Sequence, residues 1–355
     1  MSVLDLPSSR AEAWRWADLG GLAAAAALAP VAAPEAEFLD LPGAKLLFID
    51  GVLDEERSEL HRVSLGDVTA GEHPLGKRAA HGWRLRLDDG AAVDPVQVVH
   101  VTTGRENHVA AEIVLADDAA GQVVETFVGA GWQNRFTRVS LGRGARLMRA
   151  VRLLQPAGFV SLREEADVAE AASLVTVFLG AGGQGSRIDA QLTASGDGAF
   201  IEYGGALLTN GTQKQECAVR VNHAALAGAS RQLWRAVAAE RSTVSLAAAV
   251  EVARGAQQTD GEQSLRGLLL DRTATVNLKP ELEIFADDVK CAHGATVGEL
   301  DARALFYMAS RGIPPARAQA IMTRAFVGDA LKRIGNETVR DAFAADADAW
   351  LEAAL

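Results

Sequence analysis

Cysteine is scarce in this sequence, with only Cys217 and Cys291 among 355 residues. Two distant cysteines cannot form a disulfide framework, so we expect a reducing compartment, the cytoplasm. Positive charge is also in the minority, with 35 Lys and Arg against 46 Asp and Glu and a net charge of -11. Because nucleic-acid affinity depends on clustered Lys and Arg, the composition argues against a nucleic-acid partner.

The sequence also lacks a long hydrophobic run. Its most apolar N-terminal stretch, residues 19–33, is mostly alanine and is shorter than the roughly 18 apolar residues of a membrane span. Acidic residues are mixed with the arginines that precede it, so it lacks the positive start of a secretory signal. We interpret it as a short helix that ends before Pro30, and we expect no membrane association.

What the sequence does contain is a long region with strand periodicity. Between about residues 107 and 297, short runs of alternating apolar residues such as HVAAEIVLA, SLVTVFLG and STVSLAAAVEVA are separated by Gly, Asn and Asp. So many short strands without long Greek-key loops favour a right-handed parallel β-helix over a β-sandwich, although no strict repeat length is present. The predicted fold is therefore mainly β.

Segments of different character flank this region. Residues 1–104 combine the Ala-rich start, a Pro-punctuated connector and a short strand and turn in AKLLFIDG, and are predicted to form a helical and α/β cap. Residues 105–298 are assigned to the β-helix core, and residues 299–355 to a C-terminal helical domain. In this last domain a first helix is predicted to stop at Gly312, and two more are predicted over about Pro315–Ile334 and Glu337–Ala354.

Two glycine-rich motifs resemble nucleotide sites without meeting their requirements. Residues 71–77 (GEHPLGK) have the spacing of a phosphate-binding loop, but Arg78 occupies the position of the Mg²⁺-binding hydroxyl and Pro74 lacks an N–H donor. Residues 180–185 (GAGGQG) follow a strand-like run, but the next segment alternates like another strand and not like a helix. We predict a glycine-rich turn between strands there.

No constellation typical of a hydrolase stands out. Six of the seven histidines are scattered and are predicted to be surface or structural residues: His61, His73, His81, His100, His108 and His223. A polysaccharide-active β-helix enzyme is the alternative from another class, and it would need clustered carboxylates. Asp287 and Asp288 are the best local pair, but adjacent residues of a strand point to opposite faces, which disfavours shared acid–base catalysis.

The most distinctive segment is Glu281–Ile313, which contains DDVKCAHGAT at residues 287–296 and SRGI at residues 310–313. It resembles the SufD branch of the SufB/SufD family of iron-sulfur cluster assembly proteins. AQQTD at residues 256–260 and the N-terminal RAEAW at residues 10–14 extend the resemblance over nearly the whole chain. Gly261 departs from a pattern in which the family often has Ala, and the Pro-His that often follows the position of His223 is missing. A SufB-like paralogue is the nearest alternative, and SufB is typically richer in Cys.

The resemblance implies a non-catalytic scaffold subunit of the SUF complex. It implies pairing with SufB, docking of the ABC-type ATPase SufC on the C-terminal helices, and a transient iron-sulfur cluster or iron atom shared with SufB. We expect no cluster to be held stably by the isolated chain, in which a homodimer is possible. Reduced flavin has been associated with such complexes, but no flavin motif is present. The candidate SufC-docking residues are Leu300, Leu305, Phe306, Tyr307 and Arg311.

Cys291 and His293 are the candidate ligands for iron or a cluster. In an extended strand residues i and i+2 point to the same side, so a thiolate and an imidazole can be presented together. A cluster needs about four protein ligands, usually thiolates, and the chain has one other Cys. The resemblance implies that a SufB cysteine faces His293. The alternative is that both side chains point into the β-helix as core residues, because Val289, Ala295 and Val297 share their strand face.

Overall fold

The computed structural model describes residues 6–69 and 71–354, and it is mainly β, with 49% strand and 17% helix. The described strands are β1 (Lys45–Ile49), β2 (Val52–Leu53), β3 (Val63–Asp67), β4 (His81–Leu87), β5 (Val96–Leu115), β6 (Ala120–Leu141), β7 (Arg146–Leu153), β8 (Phe159–Val168), β9 (Ser173–Gly180), β10 (Gly185–Ala194), β11 (Phe200–Thr209), β12 (Lys214–His223), β13 (Ala229–Ala238), β14 (Thr243–Val252), β15 (Asp260–Leu269), β16 (Thr275–Ile284) and β17 (Lys290–Glu299). The described α-helices are α1 (Leu19–Ala26), α2 (Ala302–Ser310), α3 (Pro315–Leu331) and α4 (Glu337–Ala354), and short 3-10 helices cover Glu12–Trp14 and Gly76–Arg78.

From β4 onward the strands wind into a parallel β-helix of about eight turns, which confirms the predicted fold class. Two parallel sheets face each other across its lumen. The even sheet contains β4, the second halves of β5 and β6, and then β8, β10, β12, β14 and β16. The odd sheet contains β1, the first halves of β5 and β6, and then β7, β9, β11, β13, β15 and β17.

The turns differ in length, which explains why the sequence has no strict repeat. Trp132 pairs with Phe159, 27 residues later, whereas Thr243 pairs with Thr275, 32 residues later. The strands from β7 to β17 nevertheless keep eight to ten residues each. The extra residues are therefore accommodated in the connections between strands, and the stack of strands stays regular.

The lumen is filled by side chains that alternate along each strand. In β14, Val244, Leu246 and Ala248 point inward and are buried, as the strand period of two requires. On the preceding strand of the same sheet, Cys217 and Val219 lie in register beside Leu246 and Ala248. Each turn therefore extends the core of the turn before it, as expected for a stacked architecture.

The N-terminal segment packs on the outer face of the even sheet. Trp14 is buried there together with Leu22, Leu75, Trp132 and Phe159. The predicted N-terminal helix is α1, and the predicted strand of residues 44–51 is β1, which joins the odd sheet beside β5. The proposed boundary at residue 105 falls inside β5, and the division into three domains stays a prediction.

The C-terminal helices begin and end close to their predicted limits. Helices α3 and α4 lie across the outer face of the odd sheet, where Phe343, Leu331 and Trp350 share a buried cluster with Leu208 and Val237. The helices therefore cover the flank of the β-helix and leave its last turn open. In the described ranges every helix is too short or too polar to cross a lipid bilayer.

Candidate functional site at the open end of the β-helix

Among residues 6–69 and 71–354, no further turn is stacked on the last turn of the β-helix, which is formed by β16 and β17. In the described part of the chain, β17 pairs only with β15 and β16 pairs only with β14. Pro280, which lacks an N–H donor, lies within β16, as is typical of an edge strand. Strand β17 contains no proline, so one of its edges presents unpaired backbone groups over ten residues.

Cys291 and His293 lie on the lumen side of this last turn. Residues side by side in a parallel sheet point to the same face. The inward residues of β15 are buried, and they pair in register with four residues of β17: Gly261 with Cys291, Gln263 with His293, Leu265 with Ala295, and Gly267 with Val297. Of these four β17 residues, only Cys291 is half-buried, and the other three are exposed. Both candidate ligands therefore take lumen positions and remain accessible, and their ligand role stays a prediction.

The Cys291 thiol lies close to the preceding turn. A Cβ atom added to Gly261 would lie 3.3 Å from its Sγ, so the glycine provides the space that the thiol occupies. Burial and the nearby Asp260 carboxylate raise the pKa of Cys291, although a hydrogen bond donated by the Gly261 backbone N–H partly lowers it. The side chain is therefore a thiol at neutral pH, and a metal must displace its proton to bind.

The other cysteine does not join this site. Cys217 is buried in the lumen on β12, and burial raises the pKa of its thiol well above the usual value. Across residues 6–69 and 71–354 no three His, Cys, Asp or Glu side chains converge in a way that could hold a metal ion. Cys291 and His293 therefore form at most part of a ligand set within this chain.

Asp287 and Asp288 lie in the bend between β16 and β17 and not in a strand. The expectation that a strand directs them to opposite faces was wrong for this reason. The backbone N–H of Asp288 donates to Oε1 of Gln257 (2.9 Å), which ties the bend to the previous turn. Both residues are exposed, and they connect the two strands of the open turn.

The residues proposed for SufC docking lie on or beside α2, next to the open end. Phe306 is 77% exposed and Tyr307 is 58% exposed, which is unusual for large apolar side chains. The Arg311 guanidinium lies 5.2 Å from the Tyr307 ring centroid and donates to the Tyr307 hydroxyl (3.1 Å). Leu300 is partly buried against the α3 and α4 cluster, and Leu305 is half-buried, so these two face the protein.

The N-terminal motif reaches the same end from the opposite flank. The Trp14 and His73 rings are stacked with their centroids 5.6 Å apart, and the Arg187 guanidinium carbon lies 4.2 Å from the Trp14 ring centroid. Two residues earlier in the chain, Glu12 accepts a hydrogen bond from Lys279 Nζ of β16 (2.9 Å). The motif thus fastens the N-terminal segment across the even sheet as far as the last turn.

The two glycine-rich motifs lie in connections between strands. Residues 181–184 connect β9 to β10, as predicted. In the segment 71–77, Lys77 is exposed and pairs with Glu72 (3.4 Å), while Asn134 Nδ2 donates to the Leu75 carbonyl (3.0 Å). This loop is therefore held against β6.

The remaining histidines occupy surface or packed positions. His61 and His81 are exposed, His73 stacks on Trp14, and His108 meets the Trp132 ring edge-on. His100 is buried between the rings of Phe48 and Phe127, and His223 is buried with a hydrogen bond to Ser230 (2.8 Å).

Sequence reasoning missed a buried ionic cluster in the lumen, which we call the lumen ion cluster: Glu125, Arg135, Arg149 and Glu164. Glu125 accepts hydrogen bonds from Arg135 (2.6 Å) and Arg149 (2.7 Å), and Arg149 also pairs with Glu164. Burial opposes ionisation of Glu125, but Arg135, His100 and Arg149 outweigh it and hold its pKa below the usual range. The alternation in QVVETFVG places Glu125 on the same face as Val123 and Phe127. This pattern in the sequence could have predicted that the Glu125 carboxylate is buried in the lumen.

Comparison with known proteins shows the family to which the chain belongs. Residues 100–326 match the family model described as SUF system FeS cluster assembly, SufBD core domain. The chain is 25% identical over 367 residues to the iron-sulfur cluster assembly protein SufD of Escherichia coli, covering 94% of this chain and 87% of that protein. It is 27% identical over 145 residues to SufD of Bacillus subtilis, covering 41% of this chain and 33% of that protein.

A plant relative matches more closely over a shorter range. Protein ABCI7, chloroplastic, of Arabidopsis thaliana is 43% identical over 115 residues, which cover 32% of this chain and 24% of that protein. The predicted resemblance is confirmed, and the parallel β-helix with its open last turn lies within or next to the matched region. The chain belongs to the SufBD core family of the SUF iron-sulfur cluster assembly system and takes part in iron-sulfur cluster assembly.

Proposed function

We propose that this chain is a non-catalytic scaffold subunit of a cytoplasmic SUF complex, in which a SufB-type subunit covers the open end and a SufC-type ATPase docks beside it. The observation that carries the proposal is the open last turn, where Cys291 and His293 lie in lumen positions next to an unpaired strand edge. The nascent cluster or its iron is the cargo of this site.

The open end has the properties of a protein interface. Ile284, Phe285 and Val297 are 38%, 53% and 44% exposed, and they lie on or next to the last two strands. Exposed apolar side chains beside an unpaired β edge favour the addition of another chain. The partner that fits is a subunit with a complementary end of its own, since it would extend both the lumen and the sheet. A second copy of this chain is the alternative occupant when SufB is absent.

The number of available ligands supports a cluster site that is shared between two subunits. A thiol and an imidazole supply two of the roughly four ligands that a cluster requires, so the remainder must come from the subunit across the interface. The raised pKa of Cys291 means that ligation releases a proton, and the isolated chain holds its thiol protonated. We therefore propose that the cluster is bound only in the assembled complex, by Cys291 and His293 together with SufB ligands.

Helix α2 supports the second docking surface. Its Phe306 and Tyr307 side chains extend into solvent, and Arg311 holds the Tyr307 ring in place. Leu300 and Leu305 fix the helix to the body of the protein. ATP hydrolysis then belongs to the docked ATPase, and we expect none from this chain.

The test is co-expression with SufB and SufC from the same genome, followed by size-exclusion chromatography with light scattering and measurement of iron and sulfide. His293→Ala should leave the complex assembled and lower the cluster content at least tenfold. Cys291→Ser should have a smaller effect in the same direction. His81→Ala is the matched control, since His81 is an exposed histidine of β4 far from the last turn in sequence. Normal cluster content in the His293→Ala complex would reject the ligand role.

The docking surface needs a separate variant. Deleting residues 299–355 would uncover the apolar outer face of the odd sheet, so a point change is the sharper test. Phe306→Asp should release SufC while SufB still co-purifies, and Val52→Asp, at another exposed apolar site (71%), should release neither. Retention of SufC by Phe306→Asp would place its docking site elsewhere.

A further inference from the structure

Three polar side chains form a column on the lumen face of the odd sheet. Gln232 of β13 pairs in register with Gln263 of β15, and Gln263 pairs in register with His293 of β17. Both glutamines are 1% exposed, whereas His293 is at the open end. Neighbouring strands lie about 4.8 Å apart, which is also the spacing at which stacked glutamine amides hydrogen-bond to one another.

The hydrogen-bonding direction of this column is fixed at its buried end. The side-chain amide of Gln232 bonds to the carbonyl oxygen of Ala249 (3.0 Å). A carbonyl only accepts, so the group that faces it is the Gln232 NH₂, and the Gln232 Oε1 atom is left as an acceptor. Among the described residues, that Oε1 and both polar atoms of the Gln263 amide have no hydrogen-bond partner, although all three are buried.

Buried polar atoms are nearly always hydrogen-bonded, and one arrangement satisfies all three. If the Gln263 NH₂ donates to Gln232 Oε1, the Gln263 Oε1 atom is directed toward the next strand. The residue in register there is His293, whose neutral imidazole carries one N–H donor. The reverse orientation of the Gln263 amide would direct its NH₂ donor toward His293 and place its Oε1 atom against Gln232 Oε1, where neither oxygen can donate a hydrogen bond.

We propose that Gln263 is the positioning residue for His293. Its Oε1 atom accepts a hydrogen bond from one imidazole N–H, which selects a single tautomer and holds the ring so that the other nitrogen presents its lone pair at the open end. Metal-binding histidines commonly donate their second ring N–H in this way. This inference rests on the proposed function for its purpose, but forming the proposed hydrogen bond requires no metal.

The experiment uses the full chain with ¹⁵N-labelled histidine rings, at a pH at which the imidazoles are neutral. Long-range ¹H–¹⁵N spectra report the tautomer of each ring. We expect one tautomer for His293 in the natural protein and a mixture in Gln263→Met, which keeps the side-chain length but removes the acceptor. In Gln263→Glu the buried carboxyl is held protonated, so its O–H can donate to Gln232 Oε1 while its other oxygen accepts from His293, and the single tautomer should be restored. The other six histidines report whether each variant is folded.

Gln215→Met is the matched control, because Gln215 is also a buried glutamine but bonds to the Leu208 carbonyl (3.0 Å) from the even sheet. It should leave the His293 tautomer unchanged. A His293 spectrum that is the same in the natural chain and in Gln263→Met would overturn the proposal. A single tautomer that depends on Gln263, combined with normal cluster content in the His293→Ala complex, would support the positioning and reject the ligand role.

Zinc alone provides a second readout. Loss of such a supporting hydrogen bond typically weakens metal binding by about 10-fold or more. We expect zinc affinity to fall by about that factor in Gln263→Met and to recover in Gln263→Glu. Equal zinc affinity of the natural chain and Gln263→Met would contradict the proposal.

Discussion

The turn formed by β14 and β15 and the turn formed by β16 and β17 share one register but have opposite environments. Gln263 and Leu265 of β15 are buried, whereas His293 and Ala295, their partners on β17, are exposed. The residue type does not cause this difference, because the side chains point in the same direction. It arises because a further turn covers the first pair, whereas no turn in the described part of the chain covers the second, so lumen positions at the open end remain exposed.

In the middle of the β-helix, in contrast to the open end, each turn is covered on both sides and its lumen is closed to water. The lumen ion cluster is removed from water, so each of its charges depends on its partner there. At the open end, charges and polar groups remain solvated and can lose a partner at little cost. Variants that act on the two regions should therefore differ in their effect on stability, and four predictions test that difference.

The largest effect is expected for Glu125→Gln. This change leaves the buried Arg135 and Arg149 without their shared carboxylate, and removal of one partner from a buried ion pair typically costs about 3–5 kcal/mol. The matched control is Glu262→Gln, because Glu262 of β15 pairs with Arg231 (3.5 Å) but is exposed. Denaturant unfolding should show almost no change for the control. Similar losses for both variants would contradict the contrast between the sealed and the solvated region.

The next effect concerns the backbone at Gly205 of β11. Its φ of +153° is rarely adopted by other residues, and an added Cβ would lie 2.1 Å from the Phe178 carbonyl oxygen of the neighbouring strand. Gly205→Ala should therefore lower the free energy of unfolding by about 3 kcal/mol, since the strand must move to relieve the contact. Thermal melting followed by circular dichroism measures this loss. An unchanged melting temperature would contradict this prediction, because it would show that the strands beside Gly205 can move apart without loss of stability.

Acid should weaken the sealed region through two buried histidines. Burial lowers the pKa of His223 to about 4, and burial together with Arg135 lowers the pKa of His100 to about 4. Between pH about 6.5 and 4 the unfolded chain binds protons that the folded chain does not, so stability is complete above pH 6.5 and falls as the pH decreases. The loss is on the order of 3 kcal/mol for each histidine at pH 4.

Unfolding free energies measured between pH 7 and pH 4.5 test this dependence. His100→Phe keeps an aromatic ring between Phe48 and Phe127 and should make the pH dependence less steep. His81→Gln, at an exposed site, should leave it unchanged. The same slope in His100→Phe and the natural chain would exclude His100 as a cause.

The sequence predicted the parts of the fold that depend on local pattern. The alternation in HVAAEIVLA and STVSLAAAVEVA identified strands, and the helix ending before Gly312 was placed within two residues of its limit. The lumen ion cluster was not predicted because Glu125, Arg149 and Glu164 come from different turns, and turns of 26 to 32 residues hide which positions are in register.

The same limit applied to the candidate site. The pattern around Cys291 and His293 fitted both a lumen position and an accessible ligand, and the sequence could not separate them. Their register with Gly261 and Gln263 shows that a lumen position and exposure to solvent occur together, because the lumen is open at β17, while the ligand role stays a prediction. The exposure of these lumen positions depends on where the stack of turns ends and on where α3 and α4 pack. Neither can be predicted from the alternation of apolar residues within a strand.

The smallest effect is expected at Gly294, which lies between His293 and Ala295 on the open strand. No atom lies within 4 Å of a Cβ added there, in contrast to Gly205, and its φ is not in the left-handed region. Gly294→Ala should therefore change the free energy of unfolding of the isolated chain by no more than about 0.5 kcal/mol, and in the stabilising direction, because alanine restricts the unfolded chain. Denaturant unfolding of Gly294→Ala and Gly205→Ala in parallel measures the contrast between open and sealed turns at a matched chemical change. If SufB covers this end, the same methyl group must fit against the partner, so association with SufB should weaken while the isolated chain is unaffected. A clear loss of stability in the isolated Gly294→Ala chain would mean that β17 is already covered, and the open-end description would be wrong.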